Sequence, residues 1–574
     1  MRLCCALHVV ALVATATRGT AAPEPPEPVY SHAAVAADHP VASRAGLEMI
    51  RRGGNAVDAA VAASFCLSVV RPYSCGIGGG GFMVISMPGD GATAAGAVAI
   101  DFRETAPGAV TREYYATLDD DLASRAGVHS VAVPGSVAGL LYALEHFGTL
   151  DRATVLEPAV RAAEQGFAAD RSWISALSEL DRRLADRPAL RDSAAPLRRD
   201  LGGGGGDGPL AVGDMVFNPP QARALRLIAA EGRRAFYAGG IADAIVSVVS
   251  AGKGPLSRQD LAAYRVRVSE PLRGSFRGVE ILAMGPPSSG GVAMLQILGI
   301  LQRRLDDLGE PVHNGPAYVH LVTEAMKHAF ADRAAWLADP AFVDVPVGRL
   351  LDASYLDERA AAISLQRTRP SRHYGSGAPP VEDGGTSHLS VIDDDGMAVA
   401  CTQTINLTYG SLVAVPGFGF MLNDEMDDFT TIPGRANAFG LQQSQRNLPQ
   451  PGKRPLSSMS PTIVLRDGRP IIVAGASGGP RIISGTLQCI LDCLLFEMTP
   501  RQAVAAPRFH HQWLPDVLVF EDRWPDRRTI ETLEALGHRS GRRSEIGVVQ
   551  IITVGVDGIR AASDPRKGGA AAGW

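Results

Sequence analysis

The clearest chemical signal in this sequence is a threonine that follows two glycines and begins a strand-like segment. Gly384 and Gly385 precede Thr386, and an apolar, β-branched segment follows it. Glycine permits tight or left-handed turns, and a hydroxyl at such a junction can attack the preceding carbonyl. Attack on Gly385 would give an ester, whose hydrolysis would leave Thr386 as a new N-terminus. Its α-amino group, with an ordinary pKa of about 7.7–8.0, would then act as general base beside its own hydroxyl.

The residues that follow this threonine favour the chemical interpretation over an ordinary one. Taken alone, Gly-Gly-Thr also fits a plain loop that enters a strand. Here two strand-like segments, residues 388–392 and 397–404, flank an Asp-Gly turn, which is a strong hairpin signal. Turn geometry places Thr404 beside Thr386, with Asn406 just beyond, although a one-residue slip would turn Thr404 to the other face. A second hydroxyl there can hydrogen-bond the nucleophile and hold its rotamer.

Other short motifs occur along the chain, each weak alone and specific only in combination. They occupy residues 53–60, 76–81, 101–107, 423–429, 454–461, 477–479 and 562–566. In this order, and with Gly385 and Thr386, they resemble the γ-glutamyltransferase family of N-terminal-nucleophile hydrolases from about residue 33 to residue 574. The resemblance implies an α/β fold, an αββα four-layer sandwich formed jointly by two autoproteolytic fragments. These would be a large fragment, residues 22–385, and a small one, residues 386–574, held as a heterodimer.

The resemblance also implies a substrate-binding set whose chemistry suits a γ-glutamyl group. The matching residues are Arg103, Asn406, Glu425, Asp428, Ser457 and Ser458. A γ-glutamyl substrate carries a free α-carboxylate and a free α-ammonium. The guanidinium fork of Arg103 matches the carboxylate, and the two serine hydroxyls add donors to it. The two acidic residues and the asparagine match the ammonium, which requires acceptors and a counter-charge.

The catalytic set implied by the resemblance adds a pair of glycines to the two threonines. Gly478 and Gly479 match the family's oxyanion hole, beside the nucleophile Thr386 and its neighbour Thr404. Backbone N–H groups on residues without side chains can approach a developing oxyanion closely, and one such donor is typically worth ~10²–10³ in rate. Ordinary interpretations exist for each residue, since glycine pairs form turns, acidic runs form solvated loops and Arg103 can serve in a surface ion pair.

The leading hypothesis is an exported, autoprocessed γ-glutamyltransferase and glutathione hydrolase. Thr386 would attack the γ-carbonyl of glutathione or another γ-glutamyl compound, and water or an acceptor amino acid or dipeptide would resolve the ester. A cephalosporin (glutaryl) acylase of the same fold is the alternative, but its substrate lacks the α-ammonium that Asp428 and Glu425 suit. The third hypothesis is a catalytically silent secreted homologue, which would remain one uncut chain.

Composition bounds the other function classes. Lys and Arg number 55 against 60 Asp and Glu, so nothing indicates a nucleic-acid partner. No His/Cys group has zinc spacing, and we expect neither a metal nor another cofactor. Cys66 and Cys75 can form a short-loop disulfide in an exported protein, whereas Cys489 and Cys493 fit packing in an apolar helix.

The N-terminal residues resemble an export signal. A basic start precedes an apolar stretch of about 12 residues and then small residues near Ala21, so residues 1–21 fit a signal peptide better than a membrane span. The protein is then expected in the periplasm or outside the cell. An uncleaved N-terminal anchor at the cell surface is the alternative.

Several elements are predicted around these motifs. Helices are expected at residues 41–52, 56–70, 131–147 and 316–337, strands at 279–283 and 463–474, and flexible segments at 201–209 and 367–383. The second flexible segment would let the new N-terminus separate after cleavage. The loop 432–451 resembles a lid, in which Phe439 either gates acceptor access or simply packs. The sequon at Asn406 is expected to be unmodified, because a glycan would block the site.

Overall fold

The computed structural model describes residues 26–89, 96–201, 209–375, 385–441 and 444–574. Its helices are α1 Pro40–Arg51, α2 Ala56–Val70, α3 Ser136–Phe147, α4 Arg152–Gln165, α5 Arg171–Asp186, α6 Arg191–Leu201, α7 Pro219–Glu231, α8 Arg233–Tyr237, α9 Gly240–Ala251, α10 Arg258–Ala263, α11 Gly290–Arg304, α12 Pro316–Trp336, α13 Val347–Leu350, α14 Ala353–Ala362, α15 Arg481–Leu495, α16 Pro500–Ala505 and α17 Arg527–Ala535. Its strands are β1 Ala34–Ala37, β2 Gly80–Met87, β3 Gly96–Asp101, β4 Phe167–Ala168, β5 Met215–Val216, β6 Arg267–Ser269, β7 Leu272–Phe276, β8 Val279–Ala283, β9 Thr386–Ile392, β10 Ala398–Thr404, β11 Ala414–Val415, β12 Phe420–Met421, β13 Thr462–Arg466, β14 Arg469–Ser477, β15 Phe509–His510, β16 Leu518–Glu521, β17 Ser540–Arg543, β18 Val548–Gly555, β19 Gly558–Ser563 and β20 Ala570–Gly573.

Two antiparallel sheets packed face to face form the centre of the molecule. One has the strand order β20-β1-β9-β10-β2-β3-β6 and the other β19-β18-β14-β13-β8-β7. Strands β9 and β10 of the first sheet pack on β14 of the second. Helices α1, α2 and α3 cover the outer face of the first sheet, and α11, α15 and α16 cover that of the second. These layers confirm the predicted αββα sandwich.

The sequence of β1 shows how one strand serves two layers. Val35 packs with the helices on the outer face, whereas Ala34 and Ala36 pack into the core between the sheets. Successive side chains of a strand point to opposite faces, so a strand buried on both sides needs apolar residues throughout. Strand β9 obeys the same rule and is buried along its whole length, which places Thr386 at the end of a rigid inner strand.

The long helical predictions are confirmed, with two boundary corrections elsewhere. Helices α1, α2 and α12 fall where they were expected, and Asn55 caps α2 in a reciprocal capping box with Asp58. Helix α3 begins only at Ser136, because Pro134 disfavours helical backbone at the residue before it. The apolar run 463–474 is a hairpin rather than one strand, since Asp467 and Gly468 both adopt positive φ and turn the chain.

The segments expected to be flexible divide between described and undescribed residues. The predicted signal peptide, the glycine run 202–208 and residues 376–384 lie outside the described residues. Residues 367–375 are described, and they are docked rather than loose: Ser371 is buried and exchanges hydrogen bonds with Trp513. Within the described residues one stretch, 233–251, is long and apolar enough to cross a membrane. It consists of α8 and α9, two separate helices.

The five cysteines within the described residues are free thiols. Cys66 lies on α2 and Cys75 in the following turn, and both are free and buried, so the disulfide considered for them is not formed. Cys66 and Cys75 both pack in the apolar core on the outer face of the first sheet, without a bond between their sulfur atoms. Burial raises the pKa of both thiols to about 12. Cys489 packs in the core of α15, as expected.

Candidate active site

The predicted pairing of the two threonines is correct. Thr386 is the first residue of β9 and lies opposite Thr404, the last residue of β10. Their hydroxyl oxygens are 3.2 Å apart, and the backbone N–H of Asn406 donates to the Thr404 hydroxyl at 2.8 Å. The turn after β9 thus sets the register, and no slip turns Thr404 away.

The peptide bond before Thr386 is held by both hydroxyls. The carbonyl oxygen of Gly385 lies 2.8 Å from Thr386 Oγ1 and 2.8 Å from Thr404 Oγ1. Gly385 is required here because a Cβ atom would stand 2.6 Å from the carbonyl oxygen of Tyr73. On its other side, the ammonium of Lys567 donates to the carbonyl oxygen of Thr386 at 2.6 Å.

The predicted substrate arginine is surrounded by acidic side chains. Arg103 follows β3 and is fully buried. It donates to Glu425, and to Asp428 Oδ2 at 2.5 Å. Glu425 and Asp428 are brought together by a 3₁₀ turn that contains both, and Glu104 lies 3.6 Å from the same guanidinium.

The protonation of this cluster is set mainly by burial. Burial raises the pKa of Glu425 to about 7, against the attraction of Arg103. Burial also raises the pKa of Glu104 well above its usual range, with the Glu425 charge adding to the effect. The pKa of Asp428 is raised by burial too, while Arg103 opposes the shift. Burial thus favours the protonated form of all three carboxyl groups around this arginine, whereas the charge of Arg103 favours their ionised form.

The two predicted serines present unused hydroxyl hydrogens to the site. Ser457 Oγ accepts from the N–H of Met459 at 3.1 Å, and Ser458 Oγ accepts from Arg333 at 3.3 Å. Neither hydroxyl donates to a described residue, so each retains a hydrogen for a ligand. Asn406 is buried with φ +74°, and its side-chain N–H donates to the carbonyl oxygen of Asp424 at 3.0 Å.

The glycine pair stands where β14 leads into α15. Gly478 and Gly479 have φ of +122° and +56°, and α15 begins two residues later. The N–H groups of both glycines lack an acceptor among the described residues. Free N–H groups next to the positive end of a helix suit an anion, as the predicted oxyanion hole requires.

Two cavities meet at Thr386. A small one of about 20 Å³ is lined by Arg103, Thr386, Thr404, Asn406, Glu425, Asp428, Phe439, Ser457, Ser458 and Gly479, among others. It therefore unites the predicted catalytic and substrate-binding residues except Gly478. A cleft of about 880 Å³ lies on the other side of Thr386 and includes Gly478. Phe439 is buried against Gly479, where a Cβ would stand 2.7 Å from its ring, and it forms part of the wall of the small cavity.

Three residues that contact predicted site residues were not themselves predicted from the sequence. Asn437 donates to Asp428 Oδ1 at 3.0 Å, Arg333 reaches Ser458, and Lys567 reaches Thr386. Lys567 directly follows the motif at residues 562–566, and this position is the one signal in the sequence that could have indicated it. The other two come from a loop and a helix whose packing the sequence pattern does not reveal.

Among the described residues, one group has the composition of a metal site. It comprises His320, Glu324 and His538, all buried. The two histidine rings already hydrogen-bond each other at 2.7 Å, and His320 bonds the carbonyl oxygen of Ser364 at 2.8 Å. The ammonium of Lys327 stands 3.4 Å from Glu324 and supplies positive charge there. The absence of a metal cofactor remains a prediction.

This geometry defines a class of protein. Two stacked antiparallel sheets between helices, with a threonine at the start of an inner strand and unpaired N–H groups nearby, make an N-terminal-nucleophile hydrolase. The chain belongs to the Gamma-glutamyltranspeptidase family, whose family model matches residues 42–574.

The relatives of this chain are named after two activities, glutathione hydrolase and acylase. A glutathione hydrolase proenzyme of Pseudomonas sp. (strain A14) is 38% identical over 547 residues, covering 93% of this chain and 92% of that protein. An acylase ACY 1 proenzyme of Pseudomonas sp. (strain SE83) is also 38% identical, covering 92% and 91%. Among solved structures, cephalosporin acylase from Bacillus halodurans aligns with a TM-score of 0.82 at 26% identity, covering 98% of this chain and 99% of that one. Sequence identity is the same for the glutathione hydrolase and for the acylase. The choice between the two activities must therefore rest on the residues of the site.

Proposed function

We propose that this protein is an autoprocessed γ-glutamyltransferase and glutathione hydrolase with Thr386 as nucleophile. The observation that carries the proposal is the small cavity, in which Thr386 shares walls with a cationic arginine and two acidic residues. A γ-glutamyl group needs both signs of charge beside the nucleophile, because its α-carbon bears a carboxylate and an ammonium. The name of the Pseudomonas glutathione hydrolase proenzyme supports the same substrate class.

Maturation would begin at the Gly385–Thr386 peptide. The Thr404 hydroxyl donates to the Gly385 carbonyl oxygen and so polarises the bond that Thr386 Oγ attacks. A new ester bond forms to Oγ, the C–N bond breaks, and the hydroxyl proton passes to the departing nitrogen. Water then hydrolyses the ester and releases the Gly385 carboxylate. The large and small fragments would stay together as a heterodimer, because β1 and β2 of one flank β9 and β10 of the other.

Turnover would reuse the same atoms. The α-amine of Thr386 takes the hydroxyl proton as Oγ attacks the substrate γ-carbonyl, and the N–H groups of Gly478 and Gly479 stabilise the oxyanion. The amine then delivers the proton to the leaving amine, which is cysteinylglycine when the substrate is glutathione. The γ-glutamyl ester passes to water or to an acceptor amino acid or dipeptide, which would approach through the large open cleft.

The glutaryl acylase is the second candidate, and the acylase names among the relatives favour it. A glutaryl group keeps a terminal carboxylate but has no α-ammonium. Such a substrate would bring no cation to Glu425 and Asp428. Keeping two buried carboxylates beside a purely anionic group is unfavourable, so the γ-glutamyl reaction fits better.

A substrate comparison on the matured protein tests the proposal. Intact mass should show two fragments that part between Gly385 and Thr386. The kcat/KM for a γ-glutamyl anilide should exceed that for the matched glutaryl anilide by at least ~10-fold, the equivalent of about one lost ionic interaction. A glutaryl preference would establish the acylase, and a single uncut, inactive chain would establish the silent homologue.

Export is proposed on the N-terminal sequence alone. We propose that residues 1–21 are removed as a signal peptide, which would place the mature protein in the periplasm or outside the cell. N-terminal sequencing of the large fragment after expression with the full leader tests this. A first residue near position 22 is expected, and retention of Met1 in a membrane fraction would favour the anchored alternative.

A further inference from the structure

A second arginine beside the small cavity lacks an acidic partner. Arg333 lies near the end of α12 and is 1% exposed. Its Nε donates to Ser289 Oγ at 2.8 Å and its Nη2 to Ser458 Oγ at 3.3 Å. Its Nη1 has no partner, and within the described residues Arg333 makes no ion pair.

Among the described residues, the other arginines that are less than 2% exposed each contact a carboxylate. Arg71 pairs with Asp170, and Arg508 pairs with Asp564. Arg103 contacts both carboxylates of the cavity. Arg333 is the exception, although burying an unpaired charge is costly. Burial lowers its pKa to about 10, while the charge of Asp428 opposes the shift without forming an ion pair with it, so Arg333 remains cationic at neutral pH.

The hydrogen bond from Arg333 also orients a hydroxyl that lines the cavity. Because Arg333 donates to Ser458 Oγ, the oxygen is the acceptor in that contact and the hydroxyl hydrogen must point elsewhere. Ser458 borders the small cavity, and its hydroxyl has no acceptor among the described residues. A ligand that completes this arrangement must present an acceptor to Ser458 and negative charge to Arg333, which is the chemistry of a carboxylate.

Arg103 alone cannot supply that charge. Its guanidinium is already shared between Glu425 and Asp428, so an incoming carboxylate meets a cation that two anions surround. Ser458, by contrast, accepts from Arg333, which makes no ion pair with a described residue.

We propose that Arg333 is a positioning residue that acts through Ser458 to select substrates with an α-carboxylate. This rests on the proposed γ-glutamyl function. The substrate carboxylate accepts the Ser458 hydroxyl and neutralises Arg333, while the α-ammonium lies with Glu425 and Asp428.

Paired substrates test the role of Arg333. The variants are Arg333→Met, Arg333→Lys and Ser458→Ala, each matured and corrected for the active fraction by titration of the nucleophile. The substrates are γ-glutamyl-4-nitroanilide and 4-aminobutanoyl-4-nitroanilide, which differ only in the α-carboxylate. Arg333→Met should lower kcat/KM at least ~30-fold on the first, mainly through KM, and less than ~3-fold on the second. Arg333→Lys should restore part of the loss.

A double variant and a control at another buried arginine distinguish selection of the α-carboxylate from a general loss of folding. Arg333→Met should add little to Ser458→Ala on the γ-glutamyl substrate, since both act on one carboxylate. Arg508→Met removes an equally buried arginine that does not line the small cavity and should reduce both substrates alike. Equal losses on both substrates for Arg333→Met would overturn the proposal. If the unmodified enzyme fails to prefer the γ-glutamyl substrate, the proposed function itself fails.

A measurement on the unmodified enzyme covers the case in which the variants do not fold. L-Glutamate and 4-aminobutanoate share the γ-carboxylate and the ammonium and differ only in the α-carboxylate. A carboxylate subsite at Ser458 and Arg333 predicts that L-glutamate competes with γ-glutamyl-4-nitroanilide at least ~10-fold more tightly. Equal or reversed inhibition constants would contradict this subsite.

Discussion

The Nζ atom of Lys567 lies 2.6 Å from the carbonyl oxygen of Thr386. The same ammonium pairs with Asp38 Oδ2 at 2.8 Å, and Arg71 holds the Lys567 backbone through its carbonyl oxygen at 2.9 Å. The carbonyl oxygen and nitrogen of one residue are about 3 Å apart, so this charge stands within about 6 Å of the Thr386 nitrogen. After cleavage that nitrogen would be the α-amine that serves as base.

Loss of the Lys567 charge should move the acidic limb of the pH–rate profile upward. A cation near the amine disfavours its protonated form, so removing it raises the amine pKa, and the neutral base then appears only at higher pH. Lys567→Met also frees the Asp38 carboxylate, which acts in the same direction. We expect the acidic limb of the kcat profile to move upward by about one pH unit. The ordinary pKa of the amine, about 7.7–8.0, is the starting point.

The control for this shift is Lys567→Arg, which keeps the charge and should keep the limb in place. Arg103, Glu425 and Asp428 face the same threonine from the cavity and are unchanged in both variants. Profiles are measured at fixed ionic strength because screening weakens such effects. If Lys567→Met lowers the rate at every pH without moving the limb, the lysine serves only to hold the strand.

Replacing the nucleophile should abolish maturation and activity together. Thr386→Ala removes the hydroxyl that attacks Gly385, so intact mass should show one chain. Thr386→Ser keeps a hydroxyl and should still cut, at a reduced rate because serine lacks the methyl group that restricts its rotamer. A Thr386→Ala protein that yields the fragment 386–574 would refute the assignment.

Thr404 should matter more to cleavage than to folding. Thr404→Val keeps the β-branched shape but removes the hydroxyl 2.8 Å from the Gly385 carbonyl oxygen. Loss of one oxyanion donor is typically worth ~10²–10³ in rate, and autocleavage followed by denaturing gel should slow by about that factor. Thr404→Ser should recover most of the rate. Unchanged cleavage in Thr404→Val would mean that this hydroxyl only packs.

Local and distant parts of this site differ in how well sequence predicts them. The Thr386–Thr404 pair was predictable because a tight turn joins β9 to β10 and fixes which residues face each other. The αββα layers, Arg103 and the glycine pair followed from the family resemblance. By contrast, Arg333 meets Ser458 across 125 positions, and Lys567 meets Thr386 across 181. Such contacts depend on how helices and strands pack, which no local pattern encodes.

Two errors of the sequence prediction had local causes. The segment 463–474 was taken as a single strand because its apolar residues dominate the pattern, yet Asp467 and Gly468 form a turn within it. Residues 367–375 were expected to be flexible on composition, but Ser371 and Trp513 fasten them to the small-fragment side. Composition reports the average tendency of a segment and misses single residues that anchor it.

Chelation should leave the matured enzyme active. The proposed base is the α-amine of Thr386, and the buried group of His320, Glu324 and His538 is already bonded within the protein. Hydrolysis of γ-glutamyl-4-nitroanilide should therefore be unchanged after dialysis against EDTA. Metal analysis of the purified protein provides the matching control. Loss of activity that Zn²⁺ restores would assign the three side chains to a metal.

Asp428 is expected to bind the α-ammonium of the substrate. A glutaryl substrate, which lacks that ammonium, tests this role separately. Asp428 Oδ2 contacts Arg103 at 2.5 Å and Oδ1 accepts from Asn437 at 3.0 Å. Asp428→Asn keeps the size of the side chain but removes its charge. Because losing a buried charge partner often costs ~2–5 kcal/mol, kcat/KM on a γ-glutamyl anilide should fall at least ~30-fold. The matched glutaryl anilide, which has no ammonium, should lose less than ~3-fold.

The neighbouring carboxylate supplies the control for this prediction. Asp427 is equally buried but bonds Ser124 and the N–H of Ala438 instead of facing the cavity. Asp427→Asn should change both substrates by the same factor, through stability alone. Arg103→Gln should weaken both substrates, since each carries a carboxylate at the end remote from the scissile bond. Maturation should persist in all three variants, because none contacts the Gly385–Thr386 peptide. If Asp428→Asn lowers both substrates equally, this aspartate only holds Arg103 in place, and the ammonium must be bound elsewhere.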